Sequence, residues 1–285
     1  MPEATRQSIA GTGSVSGRGL HTGERTTLTF RPAESGTGVT FRRVDLPGAP
    51  RIPALAEYVQ SVERHTVLAN GDASVATVEH VLAAAAAHGI DDLLIELDGP
   101  EPPIGDGSAA PFYHALAKAK IVDIGGAPTW YRIGAPLALK EEGADYLVSP
   151  GEGLRLTVTV DWPHPVIGRQ SGCYDITPGR FGSDLARART FGFAAELESL
   201  RAQGLARGAD PSTGILLSET SVVGTELRWP DEFVRHKATD LLGDLALVGG
   251  RLQGQVVAFG PSHGGNVALA RALKRAASQA TAVMG

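Results

Sequence analysis

The segment from Pro230 to Val248 constrains the fold more than any other stretch of the chain. Phe233, Leu241, Leu242, Leu245 and Val248 recur at helical spacing, Pro230 or Asp231 can start the run and Gly249-Gly250 stops it. This predicts one helix whose apolar stripe must be packed against something. At 3.6 residues per turn His236, Asp240 and Asp244 stack along one ridge beside the stripe. On an isolated helix such a ridge is most often a solvated polar face. It gains meaning only if a second element brings partners to it.

The segment Ser74 to Gly89 is such an element. It reads as a helix with Ser74 as N-cap and Gly89 as its stop, and its alanines from Ala83 to Ala87 invite close packing against another helix. Glu79 and His80 are adjacent and so point about 100° apart, which lets one hold a metal while the other reaches a water beside it. His88, at the C-terminal end, is read as a partner of the helix dipole rather than a ligand.

Around each of these helices the same order recurs: strands, helix, strand, Gly/Pro turn, helix. Thr26–Phe30, Gly38–Arg42 and Asp92–Leu97 read as strands of the first half, with a further helix through Pro111 and Leu116. Leu154–Val160 and Gln255–Phe259 are their counterparts, with a last helix to about Ser278. His80 precedes Ser108 by 28 residues and His236 precedes His263 by 27. We expect two similar α+β domains, residues 1–125 and 126–285, joined at the linker Gly125-Gly126-Ala127-Pro128, with the two long helices facing each other. Helices on distant surfaces would refute this. Two further segments depart from the repeat. Gly17–Gly23 is either a plain hairpin turn or a functional loop with His21 at its tip. Ala194–Gly208 is a short helix in an excursion, and the apolar Phe193, Leu197, Leu200, Leu205, Ile215 and Leu216 exceed what docking such a helix needs, so they either pack a core or line an apolar passage.

Composition excludes several function classes. The chain has 285 residues, a net charge of −5 and no block of lysine or arginine, so it offers no electrostatic footprint for nucleic acid. Any anionic substrate must be met by a few placed cations, and no protein partner is implied. The N-terminus lacks an apolar signal core, and the run Val81–Ala87 is too short to span a bilayer. Cys173 is single and reads as an ordinary strand residue, which fits a reducing compartment. A soluble, cytoplasmic protein is expected.

His80, His236 and Asp240 together form the donor set of a catalytic zinc with a fourth position left for water. Glu79 is placed to take a proton from that water. The expected reaction is hydrolysis of an amide or ester; a leaving nitrogen would take its proton from His263, which Asp244 orients or charges. No His-Glu-x-x-His helix is present, so this is not an ordinary zinc peptidase.

Five motifs in order, Gly17-Arg-Gly-Leu-His-Thr-Gly23, Thr77-Val-Glu-His80, Pro103-Ile-Gly-Asp-Gly-Ser108, Ala188-Arg-Thr-Phe-Gly-Phe193 and Asp231-Glu-Phe-Val-Arg-His-Lys-Ala-Thr-Asp240, resemble those of the UDP-3-O-acyl-N-acetylglucosamine deacetylases of lipid A biosynthesis. The similarity runs from about Ser8 to about Leu273. It implies a zinc enzyme, with ferrous iron as the alternative metal, that frees the 2-amino group of an acylated UDP-sugar in the committed step of the pathway. It implies two α+β domains, each a sheet with paired helices, the helices sandwiched between the sheets and the site at their junction. Carried over residue by residue, it makes His80, His236 and Asp240 the metal ligands, Glu79 the general base, His263 the general acid and Asp244 its partner. Thr190 would donate to the oxyanion, and His21, Phe191, Lys237 and Trp162 would contact substrate. Asp145 stands where the family places a basic residue near the nucleotide, a departure that bears on how the diphosphate is held. Two other readings fit the same residues: an amidase of this fold acting on another acetylated sugar, and a non-catalytic protein with a metal-stabilised junction. The latter would normally be closed by a fourth protein ligand, often a cysteine, which the sequence does not supply in any metal-binding spacing.

Overall fold

The computed structural model describes residues 4–141 and 143–283, with side chains as far as residue 277. Its two principal sheets share one topology. In the first, the strands lie in the order Gly13–Arg18, Arg25–Pro32, Leu93–Leu97, Val39–Arg43, Arg51–Pro53; in the second, Leu137–Glu141, Ala144–Ser149, Arg251–Phe259, Leu154–Trp162, Gly168–Asp175, with Trp130–Arg132 added in parallel along the start of Arg251–Phe259. In both, the central strand is last in the chain, runs antiparallel to its neighbour on one side and parallel to its neighbour on the other. A helix precedes and a helix follows each central strand: α1 (Glu79–Ala87) and α2 (Ala110–Ala119) in the first half, α5 (Glu232–Leu245) and α6 (His263–Val283) in the second. The repeat legible in the sequence is therefore a repeat of connectivity. Two short helices, α3 (Pro178–Asp184) and α4 (Leu197–Ala202), lie between the second sheet and α5 in the chain.

Side-chain alternation explains which face of each sheet is covered. Thr26, Leu28 and Phe30 point inward while Thr27 and Thr29 do not, and Leu156, Val158 and Val160 do the same in the second sheet. The helices fill the space between, α1 packing on α2 and α5, and α5 on α6 and on the second sheet, so one continuous apolar core joins both halves. The crossing of α1 and α5 is close because Gly243 sits at it: a Cβ there would fall 1.9 Å from the carbonyl oxygen of Glu79. A mid-helix glycine costs roughly 1 kcal/mol relative to alanine in helix propensity, and the approach of the two backbones is the reason it stands here.

Several boundaries differ from the sequence reading. The helix expected from Ser74 begins at Glu79, because Ala73–Val75 is a strand paired with Val67–Asn70 and Thr77 takes a left-handed φ of 54°, turning the chain just before α1. Ser74 is a strand residue, not an N-cap. Gly89, at φ 70°, ends the helix as expected. His88 is not a dipole-paired cation: burial pushes its pKa down, and its Nε2 donates to the Tyr113 carbonyl at 3.1 Å. The Gly/Pro turn before the last helix is short, since His263 already opens α6, and that helix extends past Ser278. The predicted helix Ala194–Gly208 shrinks to a 3-10 turn, Ala194–Glu196, and α4, ended by Gly204 and by Ala206 at φ 52°.

Each half also carries a three-stranded insert between its sheet and its first long helix. Val59–Ser61, Val67–Asn70 and Ala73–Val75 form one; Phe191–Phe193, Ile215–Leu217 and Val222–Val223 form the other. Both border the site. Among the described residues no helix is long and apolar enough to cross a membrane.

Candidate active site

The site lies where the N-terminus of α1, the middle of α5 and the N-terminus of α6 meet. His80 Nε2 is 3.3 Å from Asp240 Oδ1 and His236 Nε2 is 3.3 Å from Asp240 Oδ2, with the imidazoles edge to face at 5.1 Å. One donor atom from each of the three lies within 4.8 Å of the others, and all three side chains are buried. Burial pushes the His236 pKa down to about 3, so it is the neutral, coordinating form that the protein favours. Burial opposes the charge on Asp240, but His236 and Lys237 outweigh it and hold that carboxyl well below its ordinary range. Lys237 Nζ donates to Asp240 Oδ2 at 2.8 Å. Two imidazole nitrogens and an ionised carboxylate converging on one point fit a divalent metal, and three protein donors leave a coordination position open. His236 Nδ1 is buried and has no hydrogen-bond partner among the described residues.

Beside this set a second cluster forms from Glu79, Asp244 and His263, again within 4.8 Å. Burial raises the Glu79 pKa to about 7, partly countered by the charge of His263. His263 moves the other way from what burial alone would do: Asp244, whose Oδ2 accepts from His263 Nδ1 at 2.9 Å, raises it to about 9. A buried carboxyl poised near neutrality thus faces a histidine held as a cation. Sequence reasoning brought these three together but missed the groups that fix them. Thr66 donates its hydroxyl to Asp244 Oδ1 at 2.6 Å and its N–H to Glu79 Oε2 at 3.2 Å. Asn266 donates to Asp244 Oδ2 at 2.9 Å and accepts from Tyr146 at 2.8 Å. Asn266 stands one turn beyond His263 and could have been found by its spacing; Thr66 comes from the other insert and carries no local signal.

The remaining motifs position the walls. His21 is at the tip of the hairpin joining Gly13–Arg18 to Arg25–Pro32, so the Gly-rich stretch is both a turn and part of the site. Glu101 accepts from the N–H groups of His21 and Thr22, and a Cβ at Gly19 would fall 2.3 Å from its carboxylate, which accounts for the glycine. His21 stacks on His65 at 4.2 Å, and burial lowers its pKa. Thr190 donates its N–H to Gly107 at 2.7 Å, within the Pro103–Ser108 turn. Its neighbour Arg189 forms a buried pair with Glu232 at 2.8 Å, tying that strand to the start of α5. Phe191 meets His236, Trp162 and Phe233 edge to face. Asp145 is exposed on its strand, 3.5 Å from Lys140, and faces neither cavity of the site.

Two adjoining cavities open onto the clusters. A recess of about 120 Å³ is lined by the donor set with Glu79, Thr190 and His263. Next to it a cavity of about 390 Å³ is lined by Phe193, Leu197, Leu200, Ile215 and Leu216, but not by Leu205. His21, Trp162, Phe191 and Lys237 line both. A further cavity of about 420 Å³, at the far end of α1 against Leu82, Leu242 and Leu245, contains none of the site's groups.

A duplicated α+β fold with a His-His-Asp donor set between a buried carboxyl and a charged histidine is the equipment of a hydrolase, and one compatible with a metal. The chain belongs to the LpxC family, UDP-3-O-acyl N-acetylglycosamine deacetylase, whose model matches residues 6–275. Proteins called UDP-3-O-acyl-N-acetylglucosamine deacetylase are similar to it along most of their length. One from Bdellovibrio bacteriovorus is 47% identical over 250 residues, covering 87% of this chain and 83% of its own. One from a Geobacter species is 40% identical over 259 residues, 90% and 85% of the two chains. One from Neisseria meningitidis is 40% identical over 275 residues, 94% and 89%.

Proposed function

We propose that this protein hydrolyses the N-acetyl group of UDP-3-O-acyl-N-acetylglucosamine, releasing acetate and the free 2-amine in the committed step of lipid A biosynthesis, with zinc as its metal. His80, His236 and Asp240 would hold the ion, which when bound supplies Lewis acidity and a water of lowered pKa. The placing of Glu79 and His263 within 4.8 Å of each other, beside the donor set, carries the reading, because amide hydrolysis needs a base and an acid at one centre; burial of Glu79 and the Asp244 charge beside His263 suit them to these parts. Glu79 takes the proton of the attacking water as the oxygen bonds to the acetyl carbon. Thr190, in the wall of the recess, donates a hydrogen bond to the developing oxyanion. As the C–N bond breaks, His263 gives its proton to the leaving nitrogen, and Asp244 keeps it charged until then.

His21, Phe191, Trp162 and Lys237 contact the sugar and its substituents from both cavities, and the acyl chain enters the larger one. The chain divides at the Gly125-Gly126 linker into units of residues 1–125 and 126–285, so the reaction takes place at their junction. A nucleotide-sugar substrate assigns the work to the cytoplasm. The test is incubation of the zinc-loaded protein with UDP-3-O-acyl-N-acetylglucosamine and measurement of acetate. Stoichiometric release is expected; a fully metallated protein that releases none refutes the assignment.

A further inference from the structure

A UDP-sugar presents a diphosphate with a negative charge on each phosphate, and something in the cleft must answer it. Among the described residues, the lysines and arginines that line either cavity of the site are Arg64 and Lys237 alone. Lys237 is engaged with Asp240 of the donor set at 2.8 Å. Asp145 and its partner Lys140 line neither cavity. Of the histidines there, His263 is committed to Asp244, and burial favours the neutral form of His21.

Arg64 differs from these in being fixed at its root and held at its tip only by an exposed ion pair. It lies in the loop between Val59–Ser61 and Val67–Asn70, and the two residues after it are anchored: His65 stacks on His21, and Thr66 bonds to Glu79 and Asp244. Its own backbone adopts φ 64°, a conformation sparsely used by residues other than glycine, asparagine and aspartate. Its guanidinium meets Glu196 of the opposite insert at 2.8 Å, with the two side chains 45% and 44% exposed. Exposed pairs of this kind contribute little and exchange readily. Arg64 lines both cavities and so stands where they join. A glucosamine ring with its acetamido group at the donor set and its acyl chain in the larger cavity must occupy that junction.

We infer that Arg64 binds the diphosphate of the substrate, leaving Glu196 to do so, and fills the role that Asp145 cannot. A guanidinium fork suits phosphate oxygens better than a point charge does. The inference rests on the deacetylase reading above and deepens it. It makes Arg64 a specificity residue for the nucleotide, without a part in the bond-breaking step.

The experiment compares the zinc-loaded unaltered protein with Arg64→Met, Arg64→Lys and Glu196→Gln on two substrates, UDP-3-O-acyl-N-acetylglucosamine and the 3-O-acyl-N-acetylglucosamine that lacks the nucleotide, together with UDP binding by calorimetry. Arg64→Met should raise KM for the UDP-sugar and weaken UDP binding about tenfold, with kcat within about twofold and no change on the nucleotide-free substrate. Arg64→Lys should fall between. Glu196→Gln should strengthen UDP binding, and this gain should vanish when Arg64→Met is also present, since the partner it releases is gone. Unchanged UDP affinity in Arg64→Met, or an equal loss on both substrates, overturns the inference while leaving the deacetylase assignment intact. An unaltered, fully metallated protein that releases acetate from neither substrate overturns the assignment itself.

Discussion

Glu79 and His236 sit within one small recess, yet their substitutions should separate cleanly. His236→Ala removes a donor and should lose most bound zinc, whereas Glu79→Gln keeps the donor set and should retain zinc while kcat falls by at least about a hundredfold; metal analysis beside turnover checks both, and full zinc in His236→Ala would remove that residue from the set. The pH dependence of kcat/KM follows from the same groups. The proposed mechanism requires Glu79 ionised and His263 protonated, so activity should rise through about pH 7 and fall through about pH 9. In Asp244→Asn the charge that most raises His263 is gone and Glu79 alone is left to oppose burial and Lys237, so the basic limb should move to lower pH and activity at neutrality should drop. A basic limb that stays in place would show that Asp244 is not the electrostatic partner. Much of this was legible because side chains on one helix obey its period: His236, Asp240 and Asp244 fall on one ridge whatever surrounds them. Thr66 and Tyr146 were not, because their roles depend on which segments the fold brings beside α5 and α6, and a threonine in a loop or a tyrosine in a strand looks the same with or without such a partner.

The α1–α5 crossing is the element on which the donor set depends, since His80 comes from one helix and His236 and Asp240 from the other. Gly243→Ala tests it. At an unhindered helical position alanine would stabilise by about 0.5–1 kcal/mol, but here the new methyl lands on the Glu79 carbonyl. We expect a loss of about 1–3 kcal/mol from overpacking, seen as a lower Tm, together with weaker zinc binding as the helices are pushed apart; a variant of equal or higher Tm would show that the crossing has slack. The alanine face of α1 announced close packing in the sequence, and the glycine opposite it could have been read as the matching half. The start of α1 could not. Ser74 is a good N-cap by type, and only the pairing of Ala73–Val75 with Val67–Asn70, a contact made outside the segment, turns it into a strand residue.

Repetition of one topology in the two sheets made the architecture readable before any coordinates, because strand and helix order survive in the sequence where pairing does not. The parallel neighbour of each central strand, by contrast, is fixed by crossover connections, and no local pattern in Leu93–Leu97 or Arg251–Phe259 records it. The two inserts face each other across the cleft and are where the halves differ most in use. The one holding α4 supplies the apolar wall, and Leu200→Gln should raise KM for a long-chain substrate several-fold more than for a chain-free analogue, since burying an amide along a hydrocarbon costs about 1–3 kcal/mol; equal effects on both would make that wall ordinary core. The donor set is divided between the halves, His80 on α1 and His236 with Asp240 on α5. An ion held there would act as a clasp across the α1–α5 crossing, so metal affinity would also report how firmly the two halves are docked.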